Sequence, residues 1–202
     1  GVFPIGLALI EQRFGKLGIE EAEKAMSELD LVGVVGHPPI ASWCIPFVEA
    51  AAARDGLVNL HMTDPLMDRI AGMFPYCTFI SHASTWGAEN LAKHDNIFFE
   101  VVQFPDGTDS KWDFNWLADK VGRERLIFGA DLPYYDYRIL QETIEEAPID
   151  DELKDRIAHK NLETLIQRFK PDWSMPEVPP RQVRVYDPKQ LWAVNPERRG
   201  RL

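Results

Sequence analysis

The sequence has only two cysteines, Cys44 and Cys77, among its 202 residues. Two thiols cannot build a disulfide-held scaffold, and with no C-x-x-C spacing they offer no thiolate zinc site. The setting this predicts is a reducing one, the cytoplasm. No apolar run approaches the roughly 18 residues that a membrane-crossing helix needs. The apolar opening over 1–10 lacks a basic lead-in and a small-residue cleavage site, so it reads as a buried strand rather than a leader. Neither G-x-G-x-x-G nor G-x-x-x-x-G-K-[ST] occurs, which removes the backbone cradle that nucleotide phosphates require. Positive charge is also short: 22 Lys and Arg face 32 Asp and Glu, for a net charge of −10. An acidic chain repels phosphate backbones, so no nucleic-acid partner is expected.

What is present is enough to build a core. Apolar residues make up 45% of the chain and aromatics 11%, including six Trp, which excludes a disordered polymer. Short, nearly continuous apolar runs recur at 2–9, 31–35, 57–60, 77–80, 97–99 and 125–129. Runs of this kind are strands buried on both faces, as in parallel sheets. Helical patterns lie between them, at 19–29, 47–54 (with Pro46 at the first helical position and Gly56 closing), 64–73, 86–93, 111–121 and 137–146. A last helix starts from a cap at Asp150 or Asp151. Strand–helix alternation at this spacing predicts an α/β fold with right-handed crossovers.

From Lys170 the pattern stops. Pro171, Pro176, Pro179, Pro180, Pro188 and Pro196 forbid a long helix, and residues 181–202 carry a net charge of +4. The expected organisation is a catalytic α/β domain over 1–170 and an extended, Pro-rich basic tail over 171–202. The alternative for the tail is a poorly ordered terminus, although Trp173, Tyr186, Leu191 and Trp192 are odd residues to leave in water.

Three polar residues stand just past strand runs: His61 after Val58-Asn59-Leu60, His82 after Phe79-Ile80-Ser81, and Asp131 after Phe128-Gly129-Ala130. In a parallel α/β fold the strand C-terminal ends share one face, and that face carries the chemistry. Two imidazoles and a carboxylate converging there suit a divalent metal, zinc first and manganese second. Taken singly, each is more often an ordinary hydrogen-bonded residue; three at matching positions point to a site.

These segments resemble the metal-dependent amidohydrolase family, in the branch that includes nonoxidative decarboxylases and lactonases. The resemblance runs over roughly 1–170. Val58-Asn59-Leu60-His61 is similar to the family's fifth-strand segment ending in a metal-ligand histidine. Phe79-Ile80-Ser81-His82-Ala83 is similar to its sixth-strand segment with a catalytic histidine. Asn96-Ile97-Phe98-Phe99-Glu100 resembles the seventh strand, which ends in an acidic residue. The most specific match is Arg125 to Pro133, similar to the eighth-strand segment whose aspartate, here Asp131, binds metal or accepts a proton. Asn161-Leu162-Glu163-Thr164-Leu165 resembles the closing helix. The resemblance implies a (β/α)8 TIM barrel.

One departure is as informative as the match. The family's first strand carries a His-x-His pair, and none exists among His37, His61, His82, His94 and His159. Counted backward from Asp131, the first run here corresponds to the third barrel strand, so only the last six βα units are expected. The fourth-strand position reads Val35-Gly36-His37-Pro38-Pro39, where His37 is either a partial substitute ligand or part of an ordinary turn. Six strands cannot close a barrel, and two apolar edges would remain exposed. The expected remedy is completion by another polypeptide, either a second chain or an upstream segment, bringing the remaining strands and metal ligands. An open doubly wound sheet is the other possibility.

The resemblance implies that His61 and Asp131 hold the metal. His82, Asp131 and Glu100 are the expected catalytic residues: His82 polarises a carbonyl or moves a proton, Asp131 acts as base, and Glu100 orients His82 or holds substrate. A plain strand-end salt bridge is the alternative for Glu100, and an N-cap for Asp64. Trp86, Phe104, Tyr134 and Tyr135 are candidate pocket walls. The first functional expectation is a metal-dependent hydrolase of a small cyclic, ester or amide substrate. The alternatives are a nonoxidative decarboxylase of a small aromatic or unsaturated acid, and a noncatalytic subunit of a heteromeric complex.

Overall fold

The computed structural model describes residues 4–37, 41–61, 64–102, 113–130 and 136–175. Six strands appear along the chain: β1 (Ala8–Leu9), β2 (Gly33–Gly36), β3 (Leu57–Leu60), β4 (Thr78–His82), β5 (Ile97–Val101) and β6 (Leu126–Phe128). They pair in sequence order, and every neighbouring pair is parallel. Strictly sequential order is the winding of a barrel wall. A doubly wound sheet reverses its order at a switch point, and none occurs here. Of the two α/β forms open from the sequence, the barrel segment is the one formed.

The first strand is shorter than its apolar run predicts. Only Ala8 and Leu9 sit in the ladder, although Val32 also donates to Gly6 O at 2.9 Å and Ile10 to Val35 O at 2.7 Å. Pro4 has no N–H to continue the pairing.

The helices are α1 (Lys16–Glu28), α2 (Ala41–Ala52), α3 (Asp64–Met73), α4 (Thr85–Asn90), α5 (Phe114–Val121) and α6 (Tyr137–Glu146). Their ends carry chemical markers. The Ser84 hydroxyl accepts the Gly87 N–H at 2.8 Å, Asp113 accepts that of Trp116 at 3.0 Å, and Gly122 ends α5 at φ 91°. The final helix starts where its cap predicts: Asp150 accepts the Leu153 N–H at 2.9 Å. It runs through α7 (Asp151–Asp155), a wider π turn (Arg156–Lys160) and α8 (Asn161–Phe169).

The placement of Pro46 needs correction. It lies inside α2 rather than at its start. An interior proline costs about 3 kcal/mol, but Cys44, Phe47, Val48 and Ala51 are all essentially buried on one face of that helix. Burying a side chain such as Phe or Val returns roughly 1.5–3 kcal/mol each, so packing outweighs the lost hydrogen bond.

Two apolar layers line the sheet. The outer layer packs strands against helices and includes Val34, Val58, Phe79, Phe99 and Leu126. The inner layer joins Leu57, Ile80 and Ile127 to Leu165 of α8, with Leu7, Phe98, Leu162 and Phe169 around them. Alternation along each strand produces the division. Polar side chains stitch the N-terminal ends of the strands. Asn96 donates to Phe74 O (3.1 Å) and Cys77 O (2.9 Å). Arg125 donates to His94 O (2.6 Å) and Ala92 O (2.9 Å). Asn161 donates to Arg123 O and Leu126 O, both at 2.7 Å. With α8 and this stitching at one end, the opposite mouth is left for chemistry.

Among the described residues no helix is long and apolar enough to cross a membrane. Of the tail over 171–202 only 171–175 are described, so the expectation for it, including Tyr186, Leu191 and Trp192, lies outside the described residues.

Candidate active site and metal centre

The site is built at the C-terminal ends of β2 to β5. His61 immediately follows β3, and its N–H is fixed on Gly36 O of β2 at 3.0 Å. His82 is the last residue of β4 and lies in register with Glu100 of β5. The Ala83 N–H donates to Glu100 O at 2.8 Å and locks that register. Parallel ladders therefore set three functional backbones at one level before any side chain is considered.

The side chains meet. The His61 and His82 ring centroids are 4.1 Å apart and edge-on at 72°. His82 Nε2 lies 3.3 Å from Glu100 Oε2, with both side chains largely buried. Among the described residues that nitrogen is nevertheless buried without a hydrogen-bond partner. One donor atom from each of His61, His82 and Glu100 lies within 4.8 Å of the other two. A cation with bonds of about 2.1 Å holds its ligand atoms within roughly 4 Å of one another, so small side-chain rotations suffice. The donor chemistry also fits, since imidazole and carboxylate together suit divalent first-row ions. An unsatisfied buried nitrogen facing this centre is what a site for a cation or a polar substrate group presents. This much supports a divalent-metal site without specifying zinc.

The structure thus brings together His61, His82 and Glu100. Asp131 lies outside the described residues. The segment leading to it is held beside β5 by the Gly129 N–H on Val101 O at 2.9 Å. Phe104, Tyr134 and Tyr135 also lie outside the described residues, and Trp86 is substantially exposed at the start of α4. Asp64 is the first residue of α3 rather than a residue preceding it. The other two histidines are elsewhere: His94 Nε2 pairs with Asp68 Oδ1 at 2.7 Å, and His159 Nδ1 with Glu163 Oε1 at 2.9 Å on a helix surface.

One residue left open between two readings in the sequence, and one that went unread there, also stand at this mouth. His37, better read there as part of a turn, places its ring centroid 4.2 Å from that of His61, tilted by 41°. Asn59, two residues before His61 on the same strand face, has a buried Oδ1 with no partner. A polar residue in an otherwise apolar strand run was the only signal for Asn59. Cys44 and Cys77 take no part: burial pushes their thiols up to about 11 and about 12, and no disulfide joins them.

Among solved structures this fold is similar to a 2,6-dihydroxybenzoate decarboxylase from Rhizobium, at 12% identity and TM-score 0.64, with 84% of this chain and 72% of that one covered. It is similar to a 5-carboxyvanillate decarboxylase from Sphingomonas paucimobilis, at 15% identity and TM-score 0.61, covering 81% and 66%. It is also similar to a dihydroxybenzoic acid decarboxylase from Polaromonas with bound manganese and 2-nitroresorcinol, at 14% identity and TM-score 0.60, covering 79% and 67%. The chain spans about two thirds to three quarters of the length of these structures. At such identities the likeness establishes the fold, six βα units of a TIM barrel. No curated protein matches by sequence. The amidohydrolase family model matches residues 3–165. The chain belongs to the amidohydrolase family.

Proposed function

We propose that this chain carries the active site of a metal-dependent nonoxidative decarboxylase acting on a small aromatic carboxylic acid. The observation that carries the reading is the meeting of His61, His82 and Glu100 at one barrel mouth, with His82 Nε2 unsatisfied. Three similar structures are decarboxylases of hydroxylated aromatic acids. Decarboxylation therefore takes precedence over the hydrolysis that the sequence put first. Manganese takes precedence over zinc, because carboxylate-containing sites accept hard cations and one similar structure holds manganese.

His61, Glu100 and Asp131 would hold the cation. When bound, it supplies a Lewis acid that steadies the substrate's carboxylate. The remaining work falls to side chains. His82 Nε2, 3.3 Å from Glu100 Oε2, is the group placed to hand a proton to the substrate. The proton passes to the ring carbon that bears the carboxylate. The carbon–carbon bond then breaks, its electron pair restores the aromatic ring, and carbon dioxide leaves. One proton is consumed for each molecule released.

Closure of the barrel belongs to the same reading. Among the described residues no strand pairs with the outer edges of β1 or β6. Leu9, Phe14 and Leu17 are 67%, 61% and 57% exposed beside an apolar groove of about 590 Å³. Two further βα units, upstream on the same polypeptide or on a second chain, would cover these surfaces and exclude water from the mouth. The two buried thiols fit a cytoplasmic setting.

The test is carbon dioxide release from 2,6-dihydroxybenzoate by the complete, manganese-loaded protein. Release that falls about a thousandfold or more in His82→Asn supports the reading, within the range that general acid catalysis contributes. Cleavage of an ester or amide with no release of carbon dioxide overturns it.

A further inference from the structure

We propose that His37 is a second imidazole ligand of the metal centre, standing beside His61 across the β2–β3 ladder. The inference rests on the reading above that this mouth holds a divalent cation.

Register carries the argument. Gly36 pairs with Leu60, so His37 and His61 are each the first residue past their strand, at the same level. The Gly36 O to His61 N–H bond ties the two positions together. Their rings follow, with centroids 4.2 Å apart. A His-x-His pair on one strand face has its Cα atoms about 6.6 Å apart, whereas adjacent strands lie only about 4.8 Å apart. A cross-strand pair therefore brings two imidazoles at least as close as the motif this sequence lacks.

The two rings flanking His61 differ in what they touch. His82 backs onto Glu100, 3.3 Å away, and is largely buried. His37 is exposed on the far side of His61. A ring on the open side of a ligand histidine is suited to coordination. With His37 and His61 binding nitrogen-first, His82 is released for proton transfer.

The probe is Co²⁺, followed by its visible absorption and by binding titration in the full protein. His37→Ala is expected to weaken Co²⁺ binding at least about tenfold and alter the spectrum. His37→Cys, which supplies a thiolate at the same place, is expected to restore binding with a new near-ultraviolet charge-transfer band. His61→Ala is the control for the centre itself. If His61→Ala abolishes binding while His37→Ala binds as tightly as the parent with an unchanged spectrum, His37 is not a ligand and the proposal is overturned. If the parent and His61→Ala bind Co²⁺ equally weakly, the metal reading falls and this inference falls with it.

Discussion

Gly129 and Glu100 contend for one volume. A Cβ placed on Gly129 would lie 2.6 Å from the Glu100 carboxyl carbon and 2.5 Å from its Oε1. The Glu100 side chain can lean over β6 toward the mouth only because residue 129 has no side chain. The glycine in the Gly129-Ala130-Asp131 segment is thus a requirement of the acid on the neighbouring strand, not a turn signal.

Gly129→Ala should therefore push Glu100 away from His82. A displacement of about 1 Å at a reacting group costs on the order of a hundredfold in rate. Carbon dioxide release from 2,6-dihydroxybenzoate is expected to fall about a hundredfold, while far-ultraviolet circular dichroism stays unchanged. Full activity in this variant would remove Glu100 from the machinery.

Asn161 is buried, and its amide satisfies two backbone carbonyls, those of Arg123 and Leu126, at 2.7 Å each. Removing the donor strands two acceptors at about 1–3 kcal/mol each, with some relief by water. Asn161→Ala is expected to destabilise the fold by about 3 kcal/mol in urea-induced unfolding. A loss below about 1 kcal/mol would show that the contact is solvated.

The Asp150 carboxylate accepts the Leu153 N–H and pairs with Arg123 at 2.6 and 3.0 Å. The Arg123 guanidinium holds it down to about 2, below the ordinary carboxylate value of 3.8. A carboxylate depressed in the folded state contributes stability that is whole above about pH 4 and is lost as the pH falls toward 2. Asp150→Asn keeps a capping side chain but loses the charge, so the drop in melting temperature between pH 5 and pH 2 should be shallower than in the parent. Parallel curves would count against the assignment.

Cys44 and Cys77 are less than 2% exposed, and the Cys77 thiol donates to Gly56 O at 3.2 Å. Thiols raised to about 11 and about 12 have almost no thiolate at neutral pH. Neither should react with iodoacetamide in the folded protein at pH 7.5, and both should react in urea. Rapid labelling of native protein would place one of them at an opening.

The α/β class, the six strands and most helix ends follow from local rules that the chain states openly. Apolar runs of four or five residues make strands, Ser84, Asp113 and Asp150 accept first-turn N–H groups, and Gly122 ends α5. Pro46 was misplaced because its local cost is readable and the four buried side chains that overrule it are not. Position just past a strand run singled out His61, His82 and Asp131, and the likeness to known motifs added Glu100; of these, Asp131 lies outside the described residues.

By itself, then, the sequence determined which side chains follow which strands, because that depends on neighbours along the chain. Only the tertiary structure decided that β2 lies beside β3 in a register that sets His37 against His61, and that Gly129 yields its space to Glu100. Both relations cross between strands 24 to 29 residues apart. Their physical cause is the spacing and stagger of the parallel ladder, which no periodicity within a single segment encodes.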